Sequence, residues 1–240
     1  MWTPTALASE ACRCEGTAWR VVEGQHLVST RKIVATQSDQ ALLEDILEGT
    51  KPPVPKEAKS LHYLLYSPFR YGAPYPAGSR FRRAGLSEGV FYASEQVRTA
   101  LAEYCHYRLR FFTESPNTVL PRQQEHLTVF SVEHRSTRAL DLTLPPFAAE
   151  RETWAHPSDY GATQAFADAA REASIETIRY ESVRDLEPGV NLALLSPSVF
   201  KLKKPKTMQT WFLYVSELEA NCIRASANRY DEQWTFPQRR

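Results

Sequence analysis

Residues 68–108 read PFRYGAPYPAGSRFRRAGLSEGVFYASEQVRTALAEYCHYR. Arg70, Arg80, Arg82 and Arg83 stand here among glycines and aromatic residues, and GVFYA then leads into a segment carrying Glu103. The glycines and prolines between 72 and 89 predict a loop whose backbone can approach a ligand closely. Residues 89–93 predict a strand, and Ser94 caps the helix expected after it. On that helix Val97, Ala100, Leu101 and Tyr104 form the apolar face, with Glu103 about 60° around from Ala100 at about 100° per residue. Arginine binds phosphate in bidentate fashion, aromatic rings offer stacking faces, and a carboxylate can engage a ribose or a developing cation. Together these residues suit an enzyme acting on a dinucleotide.

Working outward, residues 61–66 predict a buried strand ending at Ser67-Pro68, which puts Arg70 between Phe69 and Tyr71 at the end of an apolar segment. Upstream, residues 1–60 read as a lead-in packing on a main domain at 61–240. The lead-in holds a short strand at 18–22 and a helix from Ser38 through Glu48, with Leu42, Leu43, Ile46 and Leu47 as its stripe and Gly49 as its stop. Lys51-Pro52-Pro53-Val54-Pro55 then forms a stiff connector. Downstream, strands are expected at 127–134, 139–142, 175–180, 190–195 and finally 211–215, and an alanine-rich helix at 160–173. Glu187-Pro188-Gly189 supplies the turn before the strand at 190–195. Strands and helices mixed without a regular βαβ alternation give the α+β class, a mixed β-sheet core with flanking helices.

Composition narrows the function. A chain of 240 residues with net charge +1 can bury one sizeable core and lacks the basic balance of a dedicated nucleic-acid binder. No basic n-region with an apolar run opens the sequence, and no stretch is apolar enough to span a membrane, so a cytoplasmic location is expected. Cys12, Cys14, Cys105 and Cys222 read as reduced thiols, with no spacing that makes a metal site. None of the six histidines has a helical i, i+4 partner, and no metal is expected. Rossmann, P-loop, α/β-hydrolase and zincin motifs do not occur. Arg82 and Arg83 read as solvated surface, as does the run Lys201, Lys203, Lys204, Lys206, whereas Arg70 and Arg80 are the candidates for phosphate binding.

Several blocks, in order, resemble the RES domain, named for an arginine, a glutamate and a serine and found in the toxins of bacterial type II toxin–antitoxin pairs. These are Pro68-Phe69-Arg70-Tyr71, Gly78-Ser79-Arg80-Phe81-Arg82, Gly89-Val90-Phe91-Tyr92 and Thr99-Ala100-x-x-Glu103. Tyr160-x-x-Thr163-Gln164-Ala165, Arg179-Tyr180-x-Ser182-Val183-Arg184 and Asn191-Leu192 follow. Upstream, Trp19-Arg20-Val21-Val22-Glu23 with Gln25 and Ser29-Thr30, then Leu43-Glu44 and Lys51-Pro52, resemble the lead-in of longer members. Where some members carry a further serine three residues before the glutamine, this chain has Gly161.

The resemblance implies an ADP-ribosyltransferase-like fold and an enzyme that consumes NAD as substrate without a metal. It assigns Glu103 as the catalytic carboxylate, Ser182 as the serine of the name, Arg70 and Arg80 to the pyrophosphate or a ribose edge, and Tyr71 and Tyr92 to the nicotinamide riboside. It also implies an Xre-type antitoxin as partner, contact with nucleic acid only through that antitoxin, and room for a homodimer within the complex. Cleavage of the nicotinamide–ribose bond by water or phosphate leads the expectations. Transfer of ADP-ribose to a protein, a non-catalytic nucleotide- or partner-binding module, and an RNase are the alternatives.

Overall fold

The segment EHLTVFSVEHRSTRALD forms one long strand, β3 (Glu125–Asp141), and this strand organises the sheet of the computed structural model. The structure describes residues 2–24, 34–72, 78–85, 88–115, 117–225 and 232–238; Gln25, Ser29-Thr30 and the loop prolines Pro74 and Pro76 lie outside them. β1 (Cys12–Glu23) pairs antiparallel along nearly all of β3, from Cys14 opposite Ser136 to Glu23 opposite Leu127. β2 (Phe91–Ser94), β4 (Thr177–Glu181), β5 (Val190–Leu194), β6 (Thr207–Val215), β7 (Glu219–Arg224) and β8 (Gln233–Pro237) complete a sheet of order β1-β2-β5-β4-β3-β6-β7-β8. Because β1 also pairs with β3, the strands β1, β2, β5, β4 and β3 close into a ring, and β6, β7 and β8 extend from it. The β3–β4 pair is parallel and the others antiparallel. The fold is α+β, a mixed sheet with flanking helices.

Six α-helices accompany the sheet among the described residues: α1 (Pro4–Ser9), α2 (Gln37–Thr50), α3 (Tyr63–Arg70), α4 (Val97–Glu114), α5 (Arg151–Trp154) and α6 (Gly161–Glu172). Three apolar clusters hold these layers together. Ala18, Phe91, Ala93, Phe130, Val132, Leu192 and Leu194 from the ring strands join Leu64, Leu65 and Phe69 of α3. Leu101, Ala102, Cys105 and Leu109 of α4 pack on Leu127, Val129, Trp211 and Leu213. Phe166, Ala167 and Ala170 of α6 meet Leu7, Phe81, Ile178, Tyr180 and Ala193.

Several expectations need correcting. Residues 61–66 lead into a helix, not a strand: Leu64, Leu65 and Phe69 of α3 are buried on one face, and Pro68, which cannot donate to the Leu64 carbonyl, stands two residues before the helix ends at Arg70. Ser94 ends β2 instead of capping α4, whose N-cap, Gln96, makes no side-chain capping bond. At α2 the cap is Thr36, which accepts from the Asp39 N–H, and the helix runs through Gly49 to Thr50. Residues 127–134 and 139–141 are not two strands but parts of β3, and β7 and β8 follow β6, the strand that holds residues 211–215. The strand at 18–22 extends to the whole of β1.

Candidate active site

Glu103 projects from α4, half-buried. Its Oε1 accepts two hydrogen bonds, from Ser182 Oγ at 2.7 Å and from Asn191 Nδ2 at 2.6 Å. Each donor is itself aligned. Ser182, just past β4, accepts at Oγ from the backbone N–H groups of Arg184 and Asp185, which leaves its own proton for the carboxylate. Asn191, on β5, accepts at Oδ1 from Ser94 Oγ at 2.6 Å, so its amide can only present Nδ2 to Glu103. Both donors are buried, at 5% and 2% exposure, and a buried polar side chain in an apolar strand must find such a partner. In the sequence Asn191 stands out only as part of the Asn191-Leu192 block. A lone amide between Val190 and Leu192 in an otherwise apolar strand was the signal that could have identified it as a site residue.

The loop that presents Ser182 is tied to the first turn of α4. Thr99 Oγ1 donates to Asp185 Oδ2 at 2.8 Å, and Arg98 pairs with Asp185 and Glu187 at 2.6 and 3.0 Å. Gly189 completes the junction, because its carbonyl accepts from Ser182 N–H and a Cβ there would meet Thr99 Oγ1 at 2.5 Å.

Tyr107 and Tyr180 lie within the field of Glu103, and a buried cation stands over the Tyr180 ring. Arg80 is 7% exposed, donates to the Trp154 carbonyl at 2.5 Å, and lies over the Tyr160 ring at 5.0 Å and the Tyr180 ring at 5.9 Å. Burial, reinforced by the charge of Glu103, holds the Tyr180 hydroxyl well above its ordinary range. Desolvation raises Tyr107 as well, with Tyr160 and Glu103 adding to the effect. Arg80 owes its position to the turn between Ser79 and Arg82, which pair as a backbone bridge. Gly78 enters that turn at φ +66°, and a Cβ there would lie 2.3 Å from the Arg82 carbonyl. Gln164 of α6 donates to the carbonyls of both Ser79 and Arg82. Tyr92 Oη accepts from Phe81 N–H and hydrogen-bonds Ser79 Oγ, both at 2.9 Å. Tyr92 thus buttresses the turn from below, and burial raises its hydroxyl too.

Arg70 and Tyr71 lie at the end of α3. Arg82 donates to the Tyr71 carbonyl at 2.5 Å, and Gly89 allows α3 to lie against the entry to β2, since a Cβ would fall 2.3 Å from Phe69 Cα. Arg70 itself bonds to Glu48 Oε1 at 2.7 Å and to the Pro52 carbonyl at 2.5 Å. Glu103, Ser182 and Asn191 are therefore in direct contact, Arg80 lies in the turn that Tyr92 of β2 supports, and Arg70 and Tyr71 follow beyond Arg82. Arg83 pairs with Asp168 at 2.7 Å on the surface. Among the described residues no group of three His, Cys, Asp or Glu side chains could hold a metal ion, and no helix is long and apolar enough to cross a membrane.

Fold and site define an α+β protein with a carboxylate fixed by a serine and an asparagine and flanked by tyrosines and a buried arginine. The family model described as the RES domain matches residues 54–216. That is more than half of the chain, and the chain belongs to this family. Among solved structures, the crystal structure of the M. tuberculosis MbcT-MbcA toxin-antitoxin complex is similar in fold, with TM-score 0.50 and 12% identity over 87% of this chain and 92% of that one. Comparison with curated proteins finds no match.

Proposed function

We propose that this chain is the toxin of a toxin–antitoxin pair and that it destroys NAD by cleaving the bond between nicotinamide and ribose at Glu103. The observation that carries the reading is the Glu103 carboxylate itself, with Oε1 held by two aligned donors. A carboxylate fixed in this way sits ready where positive charge develops, at no reorganisation cost in the transition state. Family membership and the RES resemblance support NAD as the molecule acted on, together with an ADP-ribosyltransferase-like arrangement.

Nicotinamide in NAD is a cationic leaving group, so the C–N bond breaks with little acid help. Its electron pair leaves on the nicotinamide nitrogen, and the ribose carbon gains oxocarbenium character, as in glycoside hydrolysis. Glu103 bonds the ribose 2′-hydroxyl and stabilises that charge. Ser182 and Asn191 keep the carboxylate in one orientation. Arg80 and Arg70 hold the diphosphate, so the ribose stays in register with Glu103, and Tyr71 and Tyr92 contribute to the nicotinamide riboside end. Water, giving up its proton, or inorganic phosphate then bonds to the ribose carbon. The outcome for the cell is NAD depletion and growth arrest.

An enzyme that consumes NAD needs restraint in its own host. The similar fold in a toxin–antitoxin complex supports an antitoxin partner, which we take to be of the Xre type and to bring any contact with nucleic acid. The experiment is product analysis by mass spectrometry, with antitoxin-free protein and NAD in buffers with and without phosphate. Free ADP-ribose means hydrolysis, and a phosphorylated ADP-ribose appearing only with phosphate means phosphorolysis. Label transferred to a protein would favour ADP-ribosylation instead, and intact NAD would remove the reading.

A further inference from the structure

Helix α2 buries none of its residues. Leu42, Ile46 and Leu47 are exposed at 60%, 56% and 42%, and the helix precedes residues 54–216, the part matched by the family. A helix with so little packing gains almost no stability from the body of the molecule. Yet its last turn makes a specific contact there. Glu48 Oε1 accepts from Arg70 Nη1 at 2.7 Å, and four residues further on the Pro52 carbonyl accepts from Arg70 Nε at 2.5 Å. The Arg70 side chain is only 7% exposed beneath these two acceptors, whereas Glu48 is 56% exposed.

We propose that α2 is a latch on Arg70, with the Glu48 carboxylate occupying the guanidinium edge that a phosphate of NAD takes when it binds. The inference rests on Arg70 being a phosphate ligand, as read above. A carboxylate oxygen and a phosphate oxygen are the same kind of charged acceptor for a guanidinium N–H; Glu48 Oε1 takes Nη1 while its Oε2 is held by Lys51 at 2.9 Å, and Nη1 cannot serve carboxylate and phosphate at once. NAD binding therefore lifts Glu48 off, and the latch raises the apparent Kd for NAD by the reciprocal of the fraction of molecules in which it stands open. The relation is reciprocal: anything that grips the exposed stripe of α2 and draws it away tightens NAD binding by the same factor.

The test is NAD affinity by calorimetry on full-length, antitoxin-free protein. A Glu103→Gln parent keeps the NAD intact, and Glu48→Ala and Arg70→Ala are each added to it. Alanine is a strong helix former at an exposed helical site, so Glu48→Ala leaves the fold in place. The latch predicts that Glu48→Ala binds NAD about three- to tenfold more tightly, while Arg70→Ala binds it at least about tenfold more weakly. Unchanged affinity in Glu48→Ala beside weakened affinity in Arg70→Ala would overturn the latch and leave Arg70 as a phosphate ligand. Unchanged affinity in Arg70→Ala, or no uptake of NAD by the parent, would remove the reading beneath it.

Discussion

Asn191 helps to set the orientation of Glu103, because its amide is fixed at both ends, by Ser94 and by the carboxylate. Replacing it with alanine removes a hydrogen bond to a charged group, about 1.5–3 kcal/mol, and nicotinamide release should fall about 10- to 100-fold. Asn191→Asp makes a sharper prediction. A second carboxylate at the same place raises one pKa of the pair, so the variant should need a higher pH than the wild type to reach its full rate. A change in rate with an unmoved pH profile would mean that Asn191 acts only through folding. Ser182 was legible through the resemblance, but its bond to Glu103 was not, because nothing in sequence spacing brings residues 79 positions apart together.

At the scale of elements, the site is a junction of α4, β5 and the loop after β4. Gly189 is its tightest point: a methyl group there meets Thr99 Oγ1 and Cγ2 at 2.5 and 2.8 Å and Asp185 Oδ2 at 3.0 Å. Gly189→Ala should destabilise the protein by about 1–3 kcal/mol through overpacking, read as a lowered urea midpoint. An unchanged midpoint would show that the loop yields freely. Much of this framework was readable. The α4 and α6 segments and the strands around 89–93, 175–180 and 190–195 follow from apolar periodicity and turn residues. The LHYLLY run misled because a short apolar segment fits a strand or a helix equally well, and the Ser67-Pro68 pair looked like a stop. Ser94 looked like a helix cap because nothing local reveals that its hydroxyl is needed by Asn191, 97 residues away.

For the whole molecule, the packing of sheet and helices buries hydroxyls and thiols that ordinarily titrate above neutrality. Burial raises Cys14 to about 11 and drives Tyr92 and Tyr180 upward. Cys105 is raised as well, first by its contact with Cys222, whose sulfur lies 3.4 Å away, and then by burial. These groups hold protons in the folded state at pH values where the unfolded chain has released them. Their contribution is therefore complete below the ordinary thiol and phenol range and is lost as pH rises from that range to the raised values of the folded state. Arg20, lowered to about 10 by burial, acts in the opposite sense, but as a single group. The urea midpoint should hold steady from pH 7 to about 8.5 and fall between about pH 9 and 11; a flat midpoint across that interval would contradict this account of the core.

The central claim concerns chemistry at one carboxylate, and the direct measurement is the rate of nicotinamide release from NAD by antitoxin-free protein, wild type beside Glu103→Gln. The glutamine keeps the shape and can still accept from Ser182 and Asn191, but it carries no charge to meet the developing cation. The account predicts release by the wild type and a loss of about a hundredfold or more in the variant, with folding unchanged by circular dichroism. Equal release from the two proteins would contradict it.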